Sequence, residues 1–450
     1  MSIRITTGGV YHNYKNNLHA SMKTYSDMMT KVETGRSFTS YAEDPASASR
    51  AFQLRRTYWR TGDQIDNSNY LINKYSTGWD ALDSIVDGTS ETPGLDGIRE
   101  ALTALNGTAG NTRHSLGTTL WNMSESIMKV MNTRYGDEFV FAGADGMNAP
   151  FSWDDSGHMC YRGFQVNAPK PVTEEQFAQW KNDGALNSGN IQDYNQFVYD
   201  TYDVTVWVPS YLERLEGATT PPAGEVKSFE DATFEDYQKW YVNTYAAEKP
   251  ASGDMEEIRE AYARAGRRFG ETAYEDIGIG MRADEDGYTI PGTAFDSVIS
   301  GLEVLGYGME TVEVIYDDYN KYSFTTQVSN NLAEVMRQLA QVFLDCNEFT
   351  GEYKSYEDRA LADTLTSHLQ SAISHTQEQQ VVLDGKVDYL QKNLEMLTNS
   401  KDKLDKQIVD LEDMDPADAI TSMTWAQYCY SAALRVGQQI LGESLLDYLR

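Results

Sequence analysis

Six histidines, three cysteines and one tight acidic cluster are the residues of this 450-residue chain whose types could do chemistry. His12, His19, His114, His158, His368 and His375 would serve as metal ligands or proton carriers if paired at the right spacing. None stands in a His-Glu-x-x-His helix motif, and none neighbours a cysteine at zinc-ligand spacing. His368 and His375 lie two helical turns apart, the spacing of two surface residues on one stripe. Cys160, Cys346 and Cys429 are widely spaced and odd in number, which suits neither a disulfide framework nor a zinc site; they are expected to be small buried apolar residues. Asp284-Glu285-Asp286-Gly287 resembles part of a calcium loop but lacks its alternating ligand spacing, and reads as a turn with solvated charges. Arg55, Arg56 and Arg60, beside Tyr58 and Trp59, form too small a platform for nucleic acid and are expected to pair with acidic side chains of neighbouring helices. No phosphate-cradling loop, dinucleotide fingerprint or nucleophile elbow occurs. The sequence therefore supports no enzyme, no cofactor and no metal.

The totals point the same way. Sixty-eight acidic against thirty-seven basic residues give a net charge of −31, which argues against nucleic acid or an anionic membrane as partner. No run of eighteen apolar residues is present to span a bilayer. The first seventeen residues, MSIRITTGGVYHNYKNN, carry no apolar core and no secretory cleavage site. Taken alone, these features read as a cytoplasmic protein, and they leave open export by a route that needs no cleaved signal.

What the spacing does specify is helix-to-helix packing. Leu383, Val387, Leu390, Leu394, Leu397, Lys401, Leu404, Ile408 and Leu411 alternate steps of four and three, and no Gly or Pro occurs from Lys386 to Asp415. A repeat of 3.5 rather than 3.6 asks for a left-handed coil against another helix. Near the N-terminus Tyr11, Tyr14, Leu18, Ser21, Tyr25, Met28 and Val32 repeat the pattern, ending at Thr34-Gly35. After a polar loop, Asp44-Pro45 places a capping aspartate before a helix-starting proline, and the next helix is predicted to reach about Val86 with Ile65, Ile72, Tyr75, Trp79, Leu82 and Val86 on one face. Helices are predicted at 95–106 and 112–135. A strand-like run, Phe139-Val140-Phe141, follows, and then strand, turn and strand over Phe151–Trp153 and Met159–Tyr161.

Residues 161–350 hold 33 acidic and 14 basic side chains and no long heptad, whereas residues 1–60 hold nine basic and four acidic. Within this acidic stretch strands are expected at 201–208 and in a hairpin at 311–328, helices at 229–248 and 255–269, and a loop at Thr219–Gly224. Helix resumes near 330, with breaks expected at Gly351 and Gly385. Asp415-Pro416 repeats the earlier cap, and a last helix at 417–449 carries Ile420, Met423, Tyr430, Leu434, Leu441 and Tyr448 on one face; Leu445 extends the apolar end. The fold class is mainly α: long N- and C-terminal helices packed as a coiled-coil bundle, with an inserted mixed α+β middle domain. The expected divisions are an N-terminal assembly helix at 1–40, the first part of a helical core at 41–160, the acidic insert at 161–330, the second part of the core at 331–411 and a C-terminal assembly helix at 412–450.

The motifs also resemble a known family. Thr34-Gly35-Arg36, the loop, and Asp44-Pro45 are similar to the helix–loop–helix signature near the N-terminus of the bacterial flagellin superfamily, as is Ile98–Leu102 through Asn106-Gly107-Thr108. Asn132-Thr133-Arg134, then Phe141 and Gly143, closing at Pro150-Phe151, together with Ser444–Leu449, resemble the branch of hook–filament junction proteins. The resemblance covers roughly 1–165 and 355–450; the middle adds nothing to it. It implies a structural subunit of the flagellum, exported through the flagellar type III apparatus, whose terminal regions are disordered in the monomer and fold on assembly. It implies a homo-oligomeric ring touching a second hook-associated junction protein and flagellin, and an export chaperone bound at about 400–450. Flagellin itself is the rival within the superfamily, and a displayed enzyme or binding module at 165–330 is the rival outside it.

Overall fold

The structure, a computed structural model, describes residues 7–88, 94–104, 112–183, 197, 233–250, 254–317, 322–347 and 350–448; the side chains of 7, 8, 104, 181–183, 317 and 440–448 are outside that set. The chain is mainly α. Helix α1 spans Thr7–Thr34 and α2 Pro45–Val86. After α3 (Leu95–Ala104) and α4 (Thr112–Val130) come short strands: β1 (Arg134–Tyr135) with β2 (Glu138–Phe139), then β3 (Phe151–Trp153), β4 (Met159–Tyr161) and β5 (Phe164–Gln165). Next are α5 (Glu174–Asp183), α6 (Phe234–Tyr245) and α7 (Met255–Arg267), the pair β6 (Tyr274–Glu275) and β7 (Phe295–Asp296), and α8 (Gly301–Leu305). The hairpin β8 (Met309–Asp317) and β9 (Tyr322–Ser329) precedes α9 (Leu332–Leu344), the 57-residue α10 (Tyr356–Glu412) and α11 (Pro416–Tyr448). All strand pairs are antiparallel. Among the described residues no helix is long and apolar enough to cross a membrane.

Two compact units divide the chain: a terminal unit of residues 1–68 and 392–450, and a central unit of residues 69–391. The central unit holds a large apolar core. Leu71, Tyr75, Leu82 and Ile85 of α2, Leu120 and Ile127 of α4, Leu332, Val335, Met336 and Leu339 of α9 and Leu365, Leu369 and Ile373 of α10 are all 2 % exposed or less. Helices α4 and α9 bring backbones within 8 Å because Gly117 faces Ala340 and Phe343; a Cβ at Gly117 would already sit 3.0 Å from the Ala340 carbonyl. A second core, aromatic in character, forms around Phe177, Trp180, Phe197, Tyr237, Trp240, Tyr241 and Tyr262 of the acidic insert. Arg268 is buried beside it at 2 % exposure, donating to the carbonyls of Phe164, Tyr161 and Ala265 and lying over the Phe164 ring, and burial lowers its pKa.

Several expectations are corrected. Gly385 breaks nothing: α10 runs through it, its Cα facing open space, because packing on both sides sustains the helix. Phe139–Phe141 is not one strand; only Glu138–Phe139 pairs locally, and the chain then turns so that Ala142 bridges Ser300. Helix α4 ends at Val130, short of 135, and the helix predicted from 229 begins at Phe234, where Thr233 and Asp236 form a capping box. Cys160 and Cys346 are buried as expected, but Cys429 is exposed. The strand predicted at 201–208, the loop at Thr219–Gly224, the motif residues Asn106-Gly107-Thr108 and the tip of the 311–328 hairpin lie outside the described residues.

Candidate assembly surface

The terminal unit carries the sequence seams. Helices α1 and α11 run antiparallel, with the Tyr25 and Tyr430 rings stacked at 6.1 Å and backbones approaching within 8 Å. On α1 the inward stripe is Tyr14, Leu18, Ser21, Tyr25, Met28 and Val32, each half-buried. On α11 it is Ala419, Met423, Ala426, Tyr430, Ala433 and Gly437, again at steps of four and three but built on small residues. Large side chains on α1 need small ones opposite: a Cβ at Gly437 would overlap the Tyr14 phenol. Leu434 lies on the outward face at 41 % exposure, with Ile420 at 53 %, and the side chains of Leu441, Leu445 and Tyr448 are outside the described residues.

The second seam lies between the first half of α2 and the last third of α10. Leu397 is buried at 8 %, and Leu394, Leu404, Ile408 and Leu411 are half-buried. The polar break, Lys401, holds its ammonium 5.0 Å from the centre of the Tyr58 ring and beside Gly62. Arg55 pairs with Glu412, as the sequence led us to expect of that arginine cluster. Gln64, Ser68 and Asn393 are also buried, so a polar layer interrupts the apolar seam. Within the central unit the same α10 stripe continues through Leu390 and Leu383, both buried, and half-buried Val387.

The loop after α1 ties these helices together. Gly35 takes a φ of +71°, which only glycine adopts without strain, and its carbonyl accepts from Met414 N–H at 2.9 Å. Arg36 bridges Asp413, and Ser37 donates through Oγ to the Asp413 carbonyl at 3.0 Å. Thr34, Gly35 and Arg36 themselves are exposed. Asp44 accepts from the N–H groups of Ala46 and Ser47 through Oδ1, and Pro45 opens α2; the hydrogen bonds from Ser47 hold the Asp44 carboxyl below its ordinary pKa. Asp415 caps α11 in the same way, accepting from Ala417 N–H at 2.8 Å.

Most telling is what the terminal unit lacks. Among the described residues its only apolar side chains under 9 % exposure are Ala51, Leu397, Ala419 and Ala426. Meanwhile Tyr11, Met22, Met29, Phe52, Trp59, Trp425, Tyr428 and Val436 stand 44 to 70 % exposed. Four helices with that little core cannot offset their ordering entropy alone. The charge is divided just as unevenly. The terminal unit holds 15 basic and 16 acidic residues, a net of −1, and the central unit carries the remaining −30.

The other motif residues interlock in the central unit. Asn132 acts as a substitute strand for Phe151, donating to its carbonyl at 2.9 Å and accepting from its N–H at 3.0 Å. Phe141 is fully buried; its carbonyl accepts from Gly301 N–H and from the Tyr161 hydroxyl, and its ring lies against Gly78 of α2. Gly143 turns at a φ of +72° beside Glu271, whose carboxylate pairs with Arg162, and the buried Pro150 accepts from Arg162 N–H at 2.7 Å. Arg337 lies between the Trp121 and Trp153 rings, 4.2 and 3.6 Å from their centres. Next to it the buried Glu334 accepts from Met159 N–H and faces His158 Nδ1 at 3.7 Å.

Glu334 raises the His158 pKa above its ordinary value, with burial and Arg337 opposing and Asp154 adding to the rise. The protonated ring therefore stabilises the folded chain below pH ~6.5, and that contribution fades as pH rises through the elevated pKa. His158 is 46 % exposed, so the effect is expected to stay under about 1 kcal/mol. Thermal melts at pH 6 and pH 8 should show a larger downward shift for the wild type than for His158→Gln; equal shifts would refute the coupling.

The remaining chemistry-bearing residues do not converge. His368 and His375 line an open cavity of about 530 Å³ with Glu303, Tyr307 and Gln379, and His375 Nε2 sits 2.7 Å from the Glu303 carbonyl oxygen. Among the described residues no group of three or more His, Cys, Asp or Glu could hold a metal ion. Burial pushes the Cys160 thiol up to about 12, which keeps it unreactive. Asp284 forms a hairpin turn, accepting from the N–H groups of Asp286 and Tyr288, as the solvated-turn expectation had it. Met423 and Tyr430 of the predicted α11 face do turn inward, but Ala419, Ala426, Ala433 and Gly437, which complete it, were missed because Ala and Gly carry no hydrophobic signal; the four–three spacing opposite large residues could have found them.

Comparison with known proteins agrees with the motif resemblance. The chain is 26 % identical over 159 residues to flagellar hook-associated protein 3 of Salmonella typhimurium strain LT2, a match covering 35 % of this chain and 48 % of that protein. The match thus spans about half the length of this curated relative. A solved structure assigned to a flagellar hook-associated protein from Vibrio parahaemolyticus aligns over 82 % of this chain and all of its own, with a TM-score of 0.41 and 13 % identity. No protein-family model matches the chain.

Proposed function

We propose that the chain is a structural subunit of the bacterial flagellum that forms the adaptor ring joining hook to filament, by coupled folding and assembly of its terminal helices. The observation that carries this reading is the terminal unit: seamed helices, few buried apolar side chains, many exposed ones and nearly zero net charge. Such a unit becomes stable only when neighbouring copies cover it. The acidic central unit has its own cores, and residues 161–330 are its inserted domain. Residues 1–40 and 412–450 are the assembly helices, and 41–160 with 331–411 the helical core.

The wider reading follows the relative. The subunit leaves the cell through the flagellar type III apparatus, meets a second hook-associated protein and flagellin, and is held before export by a chaperone at about 400–450. It is a structural protein rather than an enzyme. Electron micrographs of labelled flagella decide between this reading and flagellin, its alternative: label confined to the hook–filament boundary supports the adaptor, and label along the filament overturns it. Deletion of the gene should leave bare hooks with flagellin spilling into the medium.

The purified monomer is expected to lose roughly its first forty and last fifty residues rapidly to protease, while the central unit persists. Equal resistance at both ends in a verified monomer would contradict coupled folding.

A further inference from the structure

The outer face of α2 carries a stripe that the fold does not use. Phe52, Arg56 and Trp59 are four and three residues apart on the side away from the seam, and the two rings are 70 and 69 % exposed. Arg56 pairs with no carboxylate among the described residues, unlike Arg55. Exposed Trp and Arg side by side have the composition of an interface centre rather than of a solvated helix face.

The central unit carries a complementary surface. Between β6 and β7 the chain runs out as a hairpin arm whose residues 282–288 are all exposed. The arm is ordered: Ala283 bridges Thr289, Ile290 N–H donates to the Arg282 carbonyl at 2.9 Å, and Arg282 N–H donates to Thr293 Oγ1 at 3.1 Å. It presents Tyr288 at 73 % exposure and Ile290 at 38 %, beside the carboxylates of Glu285 and Asp286. Aromatic and aliphatic surface flanked by acid on the arm answers aromatic surface flanked by arginine on α2.

We propose that the Phe52–Arg56–Trp59 stripe docks the acidic arm around Tyr288 of a second copy of this chain. The contact rests on the assembly reading and specifies one of its interfaces. It is heterologous, since the two surfaces differ, so repetition closes a ring or extends a helix rather than ending at a dimer. Each contact is small, and repetition around an assembly supplies the avidity. Because its charges stay near water, the contact weakens as salt rises.

The test uses the full-length chain and its threshold concentration for association, read by sedimentation. Arg56→Glu should raise that threshold at least about tenfold, as loss of a central arginine does. Adding Glu285→Arg and Asp286→Arg to the same chain should restore most of it. Circular dichroism of both variants should match that of the wild-type monomer, since the altered side chains are exposed. In the Arg56→Lys variant, carbodiimide should link position 56 to Glu285 or Asp286, and mixing isotopically light and heavy chains should show that the link joins two molecules. An unchanged threshold in Arg56→Glu, no rescue by the swap, or links only to other carboxylates would overturn this contact while leaving the assembly reading intact. A wild-type chain that never associates would instead overturn the assembly reading.

Discussion

Leu397→Asp is expected to abolish association and to leave the terminal unit unfolded at concentrations where the wild-type chain assembles. Leu397 is buried at 8 % in the seam between α10 and α2 and is the largest apolar side chain under 9 % exposure in that unit. A carboxylate there loses most of its water, and Lys401, one turn on over the Tyr58 ring, offsets only part of the penalty, leaving a cost of roughly 3 kcal/mol. So thin a core cannot absorb that. Sedimentation should report monomer at every concentration, and circular dichroism should show none of the helix that the wild-type chain gains on assembly. The central unit keeps its own core and should still give a protease-resistant fragment and its own melting transition. Met396→Asp is the matched control, because Met396 is 65 % exposed and the same charge there should change stability by less than about 0.5 kcal/mol. Wild-type association by Leu397→Asp would show that the seam is no interface.

Phe141→Ala should strike the other unit. The ring is fully buried against Val140 and Gly78, and its backbone carbonyl anchors Gly301 and Tyr161. Removing the ring leaves a cavity in a packed core, which costs about 3–5 kcal/mol. Gly301 shows why the site cannot easily collapse to fill it: a Cβ added there would already stand 2.6 Å from the Phe151 ring and 2.9 Å from the Phe141 carbonyl, so the neighbours are at contact on every side. Urea denaturation followed by tryptophan fluorescence should show the midpoint of the central unit falling steeply, with the protease sensitivity of the termini unchanged. A loss below about 1 kcal/mol would mean that Phe141 is not the keystone of the interlocked motif.

These expectations rest on features that were legible in the sequence to different degrees. Capping is local chemistry, so Asp44-Pro45 marked the start of α2, Asp415-Pro416 that of α11 to within one residue, and Thr34-Gly35 the end of α1. The four–three spacing of Leu383 to Leu411 and of Tyr14 to Val32 is equally local, because helix geometry alone decides which side chains share a face. The sequence by itself therefore determined the main helices, the seam spacing on α1 and α10, and the mainly α class.

Only tertiary structure decided which faces meet. Helix α11 turns Ala419, Ala426 and Gly437 inward and leaves Leu434 and Ile420 outside, because the partner stripe on α1 carries large side chains such as Tyr14 and close approach demands small residues opposite. Gly385 lost its power to break α10 because packing along a 57-residue helix outweighs a cost of about 1 kcal/mol at one position. Phe141 left its strand-like run because its carbonyl and Ala142 found partners at Ser300 and Gly301, far along the chain. Spacing along one chain fixes what a helix can offer, but shape and charge on the facing element select which offer is taken.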